Sequence, residues 1–166
     1  MFERIKHLFA PKENGRPALL HSTIEPCSIE LDTGGSEDDL RRIREPVYSS
    51  NISRSGIGDY APLNLILRDA RSTTVGGLIG STHWGWLHVD LMWVHESVRR
   101  KGFGRQLLLT AEKVARSRKC RHASLETLSF QEALPFYTSL GYFQFAVLED
   151  CPPGHRKYFL RKDLNM

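Results

Sequence analysis

The chain has few cysteines, and they are widely scattered. Cys27, Cys120 and Cys151 are the only three in 166 residues, and no CxxC pair occurs. A disulfide framework and a cysteine zinc site are therefore excluded as organising principles, and a reducing, cytoplasmic setting is the default. No apolar run approaches the roughly 20 residues that a membrane-spanning helix requires. There is no internal repeat and no low-complexity tract. A Walker A loop, GxxxxGK[ST], is absent. A GxGxxG fingerprint fails because Leu107 stands where the third glycine after Gly102 and Gly104 would be. NTP hydrolysis and hydride transfer thus lack their phosphate loops. A metal set is not expected either. His83, His88 and Asp90 are the nearest candidates, and a five-residue step along one strand would turn the two histidines to opposite faces.

What is present suits a soluble globular domain. Apolar residues make up 40% and aromatics 10%, and the formal charge is +4. So modest an excess fits an anionic small ligand as well as nucleic acid. Phe2, Ile5, Leu8 and Phe9 recur at helical spacing, and Pro11, Asn14, Gly15 and Pro17 follow. Residues 1–23 are expected to be a leader and linker, and 24–166 a single domain.

Along that domain, Cys27 to Leu31 is a first strand candidate. Ser36 is placed to cap a helix carrying Leu40, Ile43 and Val47, which Pro46 limits or kinks. Asn51 to Tyr60 is expected to be a loop. Strands follow over Leu63–Leu67, Val75–Thr82 and Trp86–Val94. The glycines Gly76, Gly77 and Gly80 suggest close backbone approach or a bulge. In the third of these strands Trp86, His88, Asp90 and Met92 alternate with Leu87, Val89, Leu91 and Trp93. Leu107, Leu108, Ala111, Val114 and Ala115 mark a strongly amphipathic helix. A strand over Ala123–Leu128, a short helix over Gln131–Leu140 stopped by Gly141, a strand over Tyr142–Leu148 and a closing strand over Lys157–Leu160 complete the order. This is a mixed α+β pattern with a long meander, not a doubly wound alternation.

Between the third strand and the amphipathic helix lies Arg99-Arg100-Lys101-Gly102-Phe103-Gly104, followed by Arg105. Glycines at a strand-to-helix turn expose backbone N–H groups. The helix N-terminus and the cations add positive charge, so the turn is suited to phosphates.

Arg99-x-x-Gly102-x-Gly104 resembles the [QR]xxGx[GA] acyl-CoA signature of the GNAT superfamily of N-acetyltransferases. Pro135-Phe136-Tyr137-Thr138-Ser139-Leu140-Gly141-Tyr142 resembles that family's FYxxxGF/Y segment. The resemblance spans about Cys27 to Leu164. It implies a mostly antiparallel sheet of about six or seven strands, with helices on both faces. The sheet would splay between the fourth and fifth strands, so that Trp86–Val94 and Ala123–Leu128 part. It also implies acetyl-CoA as co-substrate. The pantetheine arm would lie along Met92, Trp93 and Val94, and the pyrophosphate on Arg99, Arg100, Lys101, Gly102, Phe103, Gly104 and Arg105. Ser129, Gln131 and Phe136 would line the far side.

His88 and Asp90 stand two apart in the third strand, as a base at near-neutral pH and a carboxylate beside it. The family often draws its base from the position that His88 matches. The arylalkylamine N-acetyltransferases have a second histidine where this chain has Asp90. Asp90 could raise the pKa of His88, act through water or bind the acceptor's ammonium. A hydrogen-bonded core histidine partnered by Asp90 is the alternative. Tyr137 matches the tyrosine that family members often use to protonate the departing thiolate, and a core aromatic is its alternative. Trp84, Trp86 and His155 are further candidates for an acceptor pocket.

The resemblance thus implies transfer of an acetyl group from acetyl-CoA to a primary amine by direct attack. The carbonyl would be polarised by a strand N–H at Val94. A small molecule is the favoured acceptor, since no extra domain or long charged arm is available to dock a macromolecule. Neither nucleic acid nor membrane is expected as partner, no metal is called for, and family members are often dimers. A CoA-binding sensor without turnover, a longer acyl donor, or a protein or peptide amine are the rival readings.

Overall fold

The computed structural model describes residue 29 and residues 31–164. The leader, the linker and most of the first strand candidate lie outside those residues. Ile29 and Leu31, which are described, belong to neither helix nor strand. The chain divides into two units between Ser55 and Gly56.

Helix α1 (Glu37–Ser55) belongs to the first unit. The Asp32 carboxylate accepts the N–H groups of Gly34, Gly35 and Ser36 at 2.8, 3.0 and 3.1 Å, and these bonds hold its carboxyl below the usual range. Ser36 Oγ then accepts the Asp39 N–H at 3.3 Å, the expected cap. Glu37, Asp38 and Asp39 fill the first turn, where the helix dipole favours anions. Pro46 does not end the helix, and the loop expected over 51–60 begins only after Ser55. A proline deletes one N–H of the ladder, and the rest of the helix keeps its own bonds.

The second unit is a six-stranded sheet in the order β1-β2-β3-β4-β6-β5. The strands are β1 (Ala61–Arg68), β2 (Thr74–His83), β3 (Trp86–Val94), β4 (His122–Leu128), β5 (Phe143–Glu149) and β6 (Arg156–Asp163). All pairs are antiparallel except β3 with β4. Helix α2 (Phe103–Ser117) crosses from β3 to β4 and packs on β1, β2 and β3. Helix α3 (Leu134–Ser139) connects β4 to β5. One sheet face carries the core. Leu63, Leu78, Leu87, Leu125 and Leu160 pack there with Leu108, Ala111 and Ala115 of α2 and with Tyr137 and Leu140. The helix periodicity read from Leu107 to Ala115 is thus met by burial.

Two relationships differ from strict alternation. First, the β2–β3 register shifts at Ile79/Gly80, so Asp90 has no partner across the ladder. The shift flips the faces. Leu87 and Val89 are buried, yet it is Met92 that packs against the core, while Leu91 is 64% and Trp93 50% exposed. The expected alternation of Trp86, His88, Asp90 and Met92 is therefore broken at Asp90, because a bulge inserts one residue and reverses the phase beyond it. Gly80 permits this: a Cβ there would collide with the His88 carbonyl oxygen. Second, β2 ends at His83 and β3 starts at Trp86, so His83 and His88 lie on different strands of a hairpin. Their rings stack at 4.2 Å on one face rather than facing opposite ways.

Candidate active site

The β3–β4 pairing runs only from Trp86↔His122 to Val89↔Leu125. Beyond those rungs both strands continue, β3 to Val94 and β4 to Leu128, without pairing to each other. The sheet is splayed between the two strands expected to part. Leu87, Val89 and Leu125 point to the α2 side, and so does Val94 beyond the bulge, where its side chain faces Gly104. His88, Ser124, Glu126 and Phe159, which occupy the alternate register positions, point to the other side.

On the α2 side lies the glycine turn. Arg100 and Gly102 both take left-handed backbone, with φ of 58° and 86°. Gly102 caps α2 without a side-chain acceptor, so the first-turn N–H groups are left for another anion. The cations are partly committed. Arg99 Nε donates to the Val94 carbonyl at 2.9 Å, which ties the turn to the end of β3, and Lys101 Nζ donates to the Ser97 carbonyl at 3.1 Å. Phe136 lies against Gly104, about 3.6 Å from where a Cβ would stand, and its ring meets that of Tyr137 at 5.1 Å. Tyr137 is only 7% exposed, and burial pushes its hydroxyl pKa up, so it stays protonated. Val94, Gly104, Phe136 and Tyr137 thus adjoin one another on the α2 side, with Met92 packed on the same core and Gly102 at the start of α2. Ser129 and Gln131 are bound otherwise. Ser129 Oγ accepts the Arg156 N–H at 3.1 Å, and Gln131 Oε1 accepts from Thr127 Oγ1 and the Leu128 N–H, both at 2.9 Å.

On the other side, a cavity of about 350 Å³ opens beside His88. It is lined by His88, Asp90, Ser124, Glu126, Phe145 and Phe159, with Val89 and Leu125 at the point where the strands part. Ser124 Oγ lies 3.0 Å from His88 Nδ1. If Nδ1 carries the proton and donates to Ser124, Nε2 is left as a lone-pair base. Burial lowers the His88 pKa, the charge of His83 lowers it further, and Asp90 opposes both. The net shift is downward, so His88 is neutral at neutral pH.

His88 and Asp90 do meet in one cavity, as their spacing suggested, although the bulge alters how. Ser124, Glu126, Phe145 and Phe159 carried no signal in sequence, because they enter through pairing between distant strands. Trp84 and Trp86 do not line the cavity: Trp84 is exposed at the hairpin turn, and Trp86 packs on His122 with ring centroids 4.6 Å apart. His155 meets Phe130 at 5.0 Å. Among the described residues no three His, Cys, Asp or Glu side chains cluster as metal ligands, and no helix is long and apolar enough to cross a membrane.

The parallel strand pair thus opens midway, with the N-terminus of α2 on one side and the cavity beside His88 on the other. The profile of the acetyltransferase (GNAT) family matches residues 37–142. An acetyltransferase of Agrobacterium fabrum, Atu2258, is 34% identical over 122 residues, which are 74% of this chain and 88% of that protein. The blasticidin-S acetyltransferase of Streptomyces morookaense is 42% identical over 117 residues, 68% and 85% of the two chains. The crystal structure of an acetyltransferase from Agrobacterium tumefaciens superposes with a TM-score of 0.77 at 31% identity, covering 82% of this chain and 99% of that one. The chain belongs to the GNAT family of acetyltransferases.

Proposed function

We propose that this acetyltransferase moves an acetyl group from acetyl-CoA to a primary amine of a small molecule by direct attack. The observation that carries the reading is the parting of β3 and β4 beyond Val89 and Leu125, with an anion-ready turn on one side and the His88 cavity on the other. Acetyl-CoA supplies the thioester carbonyl. The N–H groups of Gly102 to Arg105 suit its pyrophosphate, and the edge of Met92–Val94 turned away from β2, which β4 does not pair, suits its pantetheine amide groups as an added strand would. The relative that acts on blasticidin-S favours a small-molecule acceptor over a protein amine.

In this reading His88 Nε2 takes a proton from the acceptor's ammonium. The freed amine forms a C–N bond at the carbonyl carbon, whose oxygen is polarised by the Val94 N–H. The adduct's nitrogen then loses its second proton to solvent, the carbonyl re-forms as the C–S bond breaks, and the Tyr137 hydroxyl donates a proton to the departing thiolate and is reprotonated from solvent. In this reading His88 Nδ1–H donates to Ser124 Oγ, 3.0 Å away, which leaves Nε2 free. A thiol-release assay with acetyl-CoA across an amine panel tests the reading. Thiol release that depends on an amine, together with a mass gain of one acetyl group on it, supports the reading. Acetyl-CoA binding with no amine-dependent release in any case would favour a sensor.

A further inference from the structure

The cavity beside His88 has a chemistry that acetyl transfer alone does not require. Asp90 stands on one parting strand and Glu126 on the other, and two aromatic rings, Phe145 and Phe159, close the side between them. Those rings are 6.3 Å apart. Neither lysine nor arginine lines the cavity. Two cations of β6 are already engaged by carboxylates and rings. Lys157 Nζ bonds Glu126 at 2.8 Å and lies 5.9 Å from the Phe159 ring centroid. Arg161 bonds Asp163 at 2.9 Å and lies over Trp86 and Phe143 at 5.7 and 5.2 Å. Lys157 shows that a cation fits against both the Glu126 carboxylate and the Phe159 face. A second register shift, between Gln144 and Ala146, leaves Phe145 out of the β5–β6 ladder and on this cavity.

Spacing follows from the strand. His88 pairs with Ser124, and Glu126 is the next residue of β4 on that face, about 7 Å further along. The second group must therefore stand several bonds from the reacting amine.

Resting on the acetyltransferase reading, we propose that the acceptor carries a second cationic group, such as a guanidinium, amidinium or second ammonium, that seats on Glu126 and the Phe145 and Phe159 rings while its reacting amine faces His88. A carboxylate gives a charge-assisted bond to such a group and the rings give cation–π attraction. Asp90 adds negative potential on the opposite wall.

The test compares matched acceptors in the thiol-release assay: agmatine with n-pentylamine, and 4-(aminomethyl)benzamidine with benzylamine. The dication is expected to exceed its partner in kcat/KM by roughly tenfold or more, mostly through KM, and added salt should shrink that ratio. Glu126→Gln should bring the ratio toward one, and Phe145→Leu should reduce it. Equal use of both members of each pair, or an unchanged ratio in Glu126→Gln, overturns the second-cation inference and leaves acetyl transfer standing. No thiol release with any of the four amines, while another amine of the wider panel is acetylated, overturns the second-cation inference alone; no release with any amine of the panel overturns the amine-acceptor reading and this inference with it.

Discussion

Ser124 Oγ stands 3.0 Å from His88 Nδ1, one rung before β3 and β4 part. The contact sets Nδ1 against β4, and in the proposed mechanism Nε2 is the nitrogen that serves as base. His88→Ala should lower kcat/KM by about a hundredfold or more, the usual worth of a positioned base. Ser124→Ala should cost about tenfold, because the imidazole then samples both tautomers. Steady-state rates together with the acetyl-CoA dissociation constant check this. If His88→Ala retains the full rate and pH profile, His88 is a packing residue.

The depressed pKa of His88 links to stability. Its causes are burial first and the charge of His83 second, with Asp90 opposing. The unfolded chain takes up this proton near the ordinary histidine value of about 6.5, and the folded protein takes it up only at lower pH. As pH falls through 6.5 toward the folded value, the unfolded state binds more protons and stability declines; above 6.5 this contribution is absent. Urea unfolding between about pH 5 and 7 should therefore show a midpoint that falls with acid, and His88→Gln should flatten that fall. An equal slope in both proteins would assign the acid limb to other groups.

The anion-ready turn is tested at Gly102. Its φ of 86° suits glycine, and open space surrounds the place of a Cβ. Gly102→Glu would bring a carboxylate to the N–H groups of α2. Acetyl-CoA should raise the wild-type melting temperature in step with its concentration and should leave Gly102→Glu unmoved. Gly102→Ala separates the two causes: it carries the backbone strain without the charge, and should retain part of the shift. A full shift in Gly102→Glu would remove this turn from donor binding.

The fold was legible wherever a local pattern decided it. Apolar residues from Leu107 to Ala115 at helical spacing, glycines at a strand-to-helix turn and Gly141 after a short helix all became the elements their chemistry implies. Pairing between strands distant in sequence was not legible. Ser124 meets His88 only because β4 lies parallel to β3 in one register, and Glu126 and Phe159 follow from the same pairing. The bulge was half visible: Gly80 marked it on β2, while the displaced residue, Asp90, lies on the partner strand. His83 was misplaced because a two-residue turn, Trp84-Gly85, interrupts what looked like a continuous strand step.

Tyr137 is tested by removing one oxygen. Tyr137→Phe keeps the ring that packs at 5.1 Å from Phe136 and 6.1 Å from Tyr142. Turnover should fall by about tenfold or more while acetyl-CoA affinity holds, since in the proposed mechanism the hydroxyl acts on the leaving thiolate. Single-turnover rates separate this from slower product release. Undiminished turnover would make Tyr137 part of the core alone.

Glu112 is a fully buried carboxylate on α2. It is held by Lys162 Nζ, 2.8 Å from each of its oxygens, and by Arg116 at 3.2 Å. Lys162 belongs to β6, so the pair fastens the helix to a strand it does not adjoin in sequence. A buried charge that loses a partner costs more than the pair was worth, because its desolvation remains. Lys162→Met should therefore destabilise the protein by about 2–4 kcal/mol, toward the low end because Arg116 stays in reach. The double variant Glu112→Leu/Lys162→Met removes both charges and should lie closer to wild type than Lys162→Met does. Urea midpoints at constant m-value measure both. A Lys162→Met change within about 0.5 kcal/mol of wild type would mean that solvent or Arg116 already satisfies Glu112.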